Sequence, residues 1–215
     1  MNRRIAIIDY GMGNLHSVAK AFEYVGATVR VVDSPDGLHQ VGRVVLPGVG
    51  AFSHGATELK RRGFWDALLE HSEKGQPLLG ICLGMQLLFD SSTEFGLNPG
   101  LGVVAGQVVP IEGRTVDGRK RRVPHVGWDS IEKAPGGAKW AGTPLEGMAQ
   151  RVDVYFVHSY AAVPTNRTIR VADCHYDGFC ISAAIQQEHV VGLQFHPEKS
   201  GKVGLRILAR WVTHG

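Results

Sequence analysis

The sequence predicts an α/β fold: a mixed, mostly parallel central sheet with flanking helices, and additional antiparallel strands in the second half. Three observations predict it. In residues 4–88, short β-branched runs alternate with stretches of helical periodicity, the pattern of parallel strands joined by crossover helices. From about residue 100 the runs keep period two between turn residues, which suits antiparallel strands. The chain has 215 residues, 44% apolar and 20% charged, enough for one well-buried domain over 1–215 and too few for two ordinary ones.

Taken in order, residues 4–9 form the first strand. Leu15, Val18, Ala19, Phe22 and Val25 then recur at helical spacing, and Gly26 stands where a helix ends. Residues 28–32 and 43–46 are the second and third strands, the latter running into Pro47-Gly48-Val49-Gly50, and one helix is expected over 56–71. Residues 78–81 are the fourth strand, followed by the helical pattern 85–89. In the second half, 103–111, 154–157, 169–175, 181–186 and 190–195 are the strand candidates. The Gly-, Pro- and Ala-rich residues 134–147 read as a surface excursion. A last helix over 201–212 carries Leu205, Leu208 and Val212 on one face.

Composition excludes several classes. A net charge of +3 gives no argument for nucleic acid. The apolar run after the basic N-terminus stops at Asp9, short of the roughly 7–15 residues of a signal-peptide core. No run approaches the roughly 18 apolar residues of a membrane span, so a cytoplasmic protein is expected. Three cysteines build no disulfide framework and suit a reducing compartment. The histidines show no HExxH or paired CxxC spacing, so no metal is expected, and Cys174 and Cys180 read as buried small hydrophobes.

The chemistry centres on Cys82. Gly80-Ile81-Cys82-Leu83-Gly84 joins a strand to a helix and reads as a nucleophile elbow with sulfur in place of oxygen. A cysteine nucleophile needs a base and a group to orient that base. His196-Pro197-Glu198 offers both at i and i+2, one face of an extended segment; the alternative is a plain surface turn. Acyl chemistry also needs two oxyanion donors. The elbow supplies the Leu83 N–H, and the glycine-flanked loop 47–50 is the candidate for the second. Gln86, one helical turn after Cys82, is a substrate contact or an ordinary exposed glutamine. Gly11-Met12-Gly13 with Asp33 is a partial dinucleotide fingerprint, weakened by His16 at the third glycine position. The basic run 119–122 reads as a solvated hairpin tip or a docking patch.

Together, Pro47-Gly48-Val49-Gly50, Gly80 to Gln86 and His196-Pro197-Glu198 resemble the class I (triad) glutamine amidotransferases. Within that family, residues 9–14, 124–128, 155–160 and 194–200 are similar to the glutaminase subunits of imidazole glycerol phosphate synthases; residues 134–147 have no counterpart in the resemblance. The resemblance implies a flavodoxin-like amidotransferase fold and glutamine hydrolysis through a Cys82 thioester, with His196 as base and acid and Glu198 orienting it. It implies Leu83 and Val49 or Gly50 as oxyanion donors, and Gly50, Gln86, Ser159 and Tyr160 in the L-glutamine pocket. It implies no cofactor. It also implies a (β/α)8-barrel cyclase subunit as heterodimer partner, receiving ammonia, with Asn14, Trp128 and Lys199 at the interface. Three other readings stay open at this point: the glutaminase of anthranilate or aminodeoxychorismate synthesis, a stand-alone cysteine hydrolase, and a non-enzymatic binding module with an ordinary thiol at Cys82.

Overall fold

Strand β1 (Arg4–Ile8) is apolar and buried, and its alternation divides the core. Ile5 and Ile7 face one apolar cluster, Ala6 and Ile8 the other, as a sheet covered on both faces requires. Asn14 caps α1 (Leu15–Tyr24), its side-chain oxygen accepting from the Ser17 N–H at 3.3 Å. The helix buries Val18, Ala21 and Phe22, and Gly26, at φ +84°, follows its end as expected. These residues belong to a computed structural model that describes 3–38, 41–115 and 117–214.

Strands β2 (Thr28–Val32) and β3 (Val44–Leu46) flank β1 in parallel. The single helix expected over 56–71 is two, α2 (Phe52–Arg61) and α3 (Phe64–Glu73). Gly63 between them takes φ +77°, a left-handed turn that reorients the chain while Leu59, Phe64 and Leu68 all stay buried. Apolar periodicity therefore continues across a break that it cannot reveal. Next come β4 (Leu78–Ile81), α4 (Leu83–Leu87), β5 (Phe89–Ser92), β6 (Asn98–Pro99) and β7 (Val104–Pro110). The remainder is β8 (His125–Lys133), β9 (Arg151–His158), β10 (Tyr160–Pro164), β11 (Arg170–Tyr176), β12 (Phe179–Gln187), β13 (Val190–Leu193) and α5 (Gly201–His214).

Among the described residues, nine strands form one sheet in the order β2-β1-β3-β4-β13-β12-β11-β8-β9, and β10-β7-β5-β6 form a second. The neighbours from β2 to β13 pair in parallel and those from β13 to β9 antiparallel, so the mixed sheet expected from sequence is present. Strands β5, β6, β8 and β10 are not among the expected ones, and two expected strands pair otherwise than foreseen: β7 runs parallel to β5 as well as antiparallel to β10, and β13 differs likewise. Residues 190–195 read as antiparallel, but β13 lies parallel to β4, with Leu193 opposite Ile81, as well as antiparallel to β12. That insertion brings the segment after residue 193 to the end of β4. Helix α5 covers the same face as α1, and Trp211 meets Phe22 edge to face at 5.7 Å between ring centres.

The 134–147 excursion is anchored rather than free on the surface. Trp140 Nε1–H donates to the Val171 carbonyl at 2.8 Å, the Ala138 N–H to Arg170 at 2.8 Å, and Leu145 is buried. The basic run is also only partly a solvated tip. Arg121 is buried and donates to the carbonyls of Glu112, Arg114 and Asp177, closing the hairpin base. No helix of the described residues is long and apolar enough to cross a membrane.

Candidate active site

Cys82 follows the end of β4 with φ +54° and ψ −109°, a conformation L-residues avoid and one that costs on the order of 1–3 kcal/mol. Its neighbours hold it there. The Cys82 N–H donates to the Leu193 carbonyl of β13 at 2.7 Å, and its carbonyl accepts from the Gln86 N–H at 3.1 Å. The flanking glycines are required by close approach of backbone: a Cβ at Gly80 would stand 2.7 Å from Gly84 O and Met85 N, and one at Gly84 would collide with the Leu46 carbonyl. α4 is only five residues long, so its dipole contributes less to a thiolate than a full helix would.

The base comes from the other side of β4. After β13 ends, His196 leads into a 3-10 turn, Pro197–Lys199, and the turn folds the Glu198 carboxylate back onto the ring. His196 Nδ1–H donates to Glu198 Oε1 at 2.7 Å, with side chains only 3% and 1% exposed. The pairing expected from an extended His-x-Glu is present, but a turn makes it. Ser200 fixes the turn, accepting from the Tyr155 N–H at 3.0 Å and donating to the His196 carbonyl at 2.6 Å.

The other ring nitrogen of His196, Nε2, is buried and makes no hydrogen bond. The Cys82 sulfur has its polar contacts at 3.8 Å, with the Val157 carbonyl and with Gln194 Nε2. Cys82 and His196 still interact. Burial pulls the imidazole down, but the Cys82 sulfur and then the Glu198 carboxylate outweigh it and raise His196 to about 9. The imidazole in this arrangement keeps its proton at neutral pH.

A cavity of about 380 Å³ opens over the sulfur, lined among others by Val49, Gly50, Leu83, Gln86, Ser159 and Tyr160. All four residues expected to bind substrate are in its wall, with both halves of the expected oxyanion hole. The Leu83 N–H, first in its helix, has no intrahelical carbonyl to reach. The loop 47–50 packs on the elbow, and Tyr10 holds its start by donating to the Pro47 carbonyl at 2.7 Å. Gln86 is buried, not exposed: its Nε2 donates to the Tyr160 carbonyl at 2.9 Å and to Gln194 Oε1 at 3.0 Å.

Two wall residues, Glu94 and His158, and Gln194 buried behind them receive no role from the sequence. Glu94, after β5, accepts from the Phe52 N–H at 2.5 Å and puts a carboxylate in the cavity. Gln194 braces both Gln86 and the sulfur. His158 is kept neutral, burial lowering it to about 3. Glu94 arrives on the loop after β5 with no local motif, while His158 and Gln194 lie in the segments 155–160 and 194–200 that carry the resemblance and arrive by sheet pairing.

The residues expected at a partner surface lie by the cavity mouth. Trp128 is 59% exposed and meets Tyr155 edge to face at 6.2 Å, and Lys199 Nζ sits 5.8 Å from the same ring while also lining the cavity. Asn14 is exposed, and its neighbour Gly13 abuts the Pro47 ring. The glycine turn at 11–13 is filled by protein, since the Arg62 guanidinium stands 2.9 Å from where a Gly11 Cβ would be. Cys174 is buried as expected, whereas Cys180 is exposed, at the turn between β11 and β12. A second cavity, about 500 Å³, lies at the opposite end of β4 by Pro77 and Trp211, away from the thiol.

Residues 6–214 match the family model described as glutamine amidotransferase class-I. The chain is 46% identical over 208 residues to the imidazole glycerol phosphate synthase subunit HisH 1 of Legionella pneumophila (strain Lens), covering 97% of this chain and 98% of that protein. It is 46% identical to the HisH subunit of Syntrophotalea carbinolica, with 95% and 97% covered. Among solved structures, that of PurLQS from Thermotoga maritima superposes with a TM-score of 0.73 at 19% identity over 99% of each chain, which speaks to the fold alone.

Proposed function

The chain belongs to the class I glutamine amidotransferase family, and we propose that it is the glutaminase subunit of an imidazole glycerol phosphate synthase, a single catalytic domain acting in the cytoplasm. The observation that carries the chemistry is the His196–Glu198 pair, delivered by β13 to the side of a strained Cys82 at the end of β4. Cys82 attacks the carboxamide carbon of L-glutamine as a thiolate. The oxyanion is met by the Leu83 N–H and by the Val49 or Gly50 N–H. His196, protonated, gives its proton to the departing nitrogen as the C–N bond breaks, leaving a γ-glutamyl thioester and ammonia. Neutral His196 then takes a proton from water, whose oxygen attacks the thioester carbon; glutamate leaves and the sulfur regains its starting state.

Glu198 orients the ring throughout and stabilises the imidazolium. Gln86 and the Ser159–Tyr160 segment position the substrate, and Glu94 offers a carboxylate for its α-ammonium group. The ammonia passes to a cyclase subunit, a (β/α)8 barrel, docked on the face that carries Asn14, Trp128 and Lys199, where histidine biosynthesis consumes it. The excursion 134–147 and the basic run 119–122 take no part in this scheme.

The test is Cys82→Ala in the reconstituted two-subunit enzyme. Glutamine-dependent synthesis falls by at least about 10³-fold, as for loss of a nucleophile, while synthesis from added ammonium salt stays within about twofold. Loss of both activities would remove the ammonia-supplying role.

A further inference from the structure

We propose that His125, Asp129 and Cys174 bind one borderline divalent cation, of which zinc is the type, where β8 splays away from β11. The side chains come from two strands with no motif spacing between them, and their ligand atoms all lie within 4.8 Å of one another. His125 Nε2 and Asp129 Oδ2 are 3.5 Å apart. A tetrahedral zinc ion with bonds of about 2.0–2.3 Å places these N, O and S atoms roughly 3.3–3.6 Å apart, so no pair closes by more than about 1.5 Å to hold it. One imidazole nitrogen, one carboxylate oxygen and one thiolate form a donor set suited to zinc or cobalt rather than to magnesium or calcium.

The hydrogen bonds behind His125 point the same way. His158 Nδ1–H donates to the Tyr160 carbonyl at 2.8 Å, and His158 Nε2 is hydrogen-bonded to His125 Nδ1 at 3.1 Å. His125 Nε2 is left facing the Asp129 carboxylate at 3.5 Å, an arrangement that a proton on Nε2 or a metal cation completes. A histidine whose second nitrogen is tied back in this manner is how metal ligands are held.

Sheet geometry supplies the space and the reason. The β8–β11 ladder covers only Ile131, Glu132 and Lys133 against Cys174, Asp173 and Ala172. Beyond Cys174 the strands part, and Tyr176 stacks on His125 in the gap at 3.9 Å between ring centres. A cation here ties the unpaired half of β8 to β11. Asp129 is the entry side, its side chain 31% exposed, with Oδ1 held by the Ser130 N–H at 2.8 Å and Oδ2 turned toward His125. On binding, the Cys174 S–H bond breaks, the proton leaves to solvent and the thiolate bonds the metal; no electron is transferred.

The test uses the full chain with Co²⁺ as the optical probe and Zn²⁺ for stability. The wild type and Cys82→Ser each bind one Co²⁺ per chain, with a thiolate-to-cobalt charge-transfer band in the near ultraviolet. Cys174→Ser loses the band, and Asp129→Asn binds at least about tenfold more weakly. Zn²⁺ raises Tm in the wild type and in Cys82→Ser but not in Asp129→Asn, a variant at a partly exposed position that tests the site even if Cys174→Ser fails to fold. Substoichiometric binding by the wild type, a band that Cys82→Ser removes, or a Tm shift that Asp129→Asn retains would each overturn the proposal.

Discussion

Replacing Glu198 by Gln tests what the buried pair contributes. Glu198 Oε1 and His196 Nδ1 are 2.7 Å apart and shielded from solvent, so the amide keeps the shape and loses the charge. A hydrogen bond to a charged group contributes roughly 1.5–3 kcal/mol, about half of that surviving with a neutral acceptor. The loss of about 0.8–1.5 kcal/mol lowers His196 by roughly half a unit to one unit from about 9, at 1.36 kcal/mol per unit. The step that develops or uses the imidazolium slows by about 4- to 13-fold, and by far more where the amide turns its NH2 toward Nδ1 and imposes the wrong tautomer.

The sign of the pH effect follows from the direction of the shift. His196 is raised above its usual 6.5, so the protonated pair persists through neutral pH and is lost as pH rises through about 9. The assay is the pH profile of glutamine kcat/KM in the two-subunit enzyme, which reports groups of the free enzyme. Glu198→Gln moves the alkaline limb down by about half a unit to one unit and leaves ammonium-dependent synthesis intact. An unmoved limb with kcat/KM within twofold of wild type would refute the claim that this contact sets the base.

Two other substitutions separate binding from architecture. Glu94→Gln keeps an acceptor for the Phe52 N–H but removes the charge offered to the substrate ammonium, so KM for glutamine rises about 10- to 100-fold with kcat little changed, read by steady-state kinetics. Gly84→Ala drives a methyl group into the Leu46 carbonyl, and because backbone must move it costs about 1–3 kcal/mol or more, read as a lower denaturation midpoint together with loss of glutaminase activity.

What the sequence made legible follows where local chemistry and tertiary structure agree. Gly80 and Gly84 announce the elbow because backbone approaches them too closely for any side chain, so the residue type itself records the contact. His196 and Glu198 were legible as a pair, although spacing pointed to an extended strand and Pro197 starts a turn instead. Strand β8 was not foreseen. Its residues Gly127 to Ser130 lack apolar alternation, and it is a strand because eight registered pairs with β9, from His125–His158 to Glu132–Arg151, impose that conformation. Glu94, Gln194 and His158 stayed hidden for a related cause: they are ordinary polar residues locally, and only β13, β9 and the loop after β5 carry them to the thiol. The partly buried excursion at 134–147 reflects the same limit, since Trp140 finds its acceptor on β11.

The central claim is that Cys82 is an activated sulfur addressed by glutamine. Its most direct measurement is intact-mass labelling of the full chain with an electrophilic ketone analogue of L-glutamine, with and without competing glutamine. The account predicts one label per chain, on Cys82, suppressed by glutamine and slowed at least about 10²-fold in His196→Ala. An inert Cys82, or equal labelling of the exposed Cys180, would contradict it.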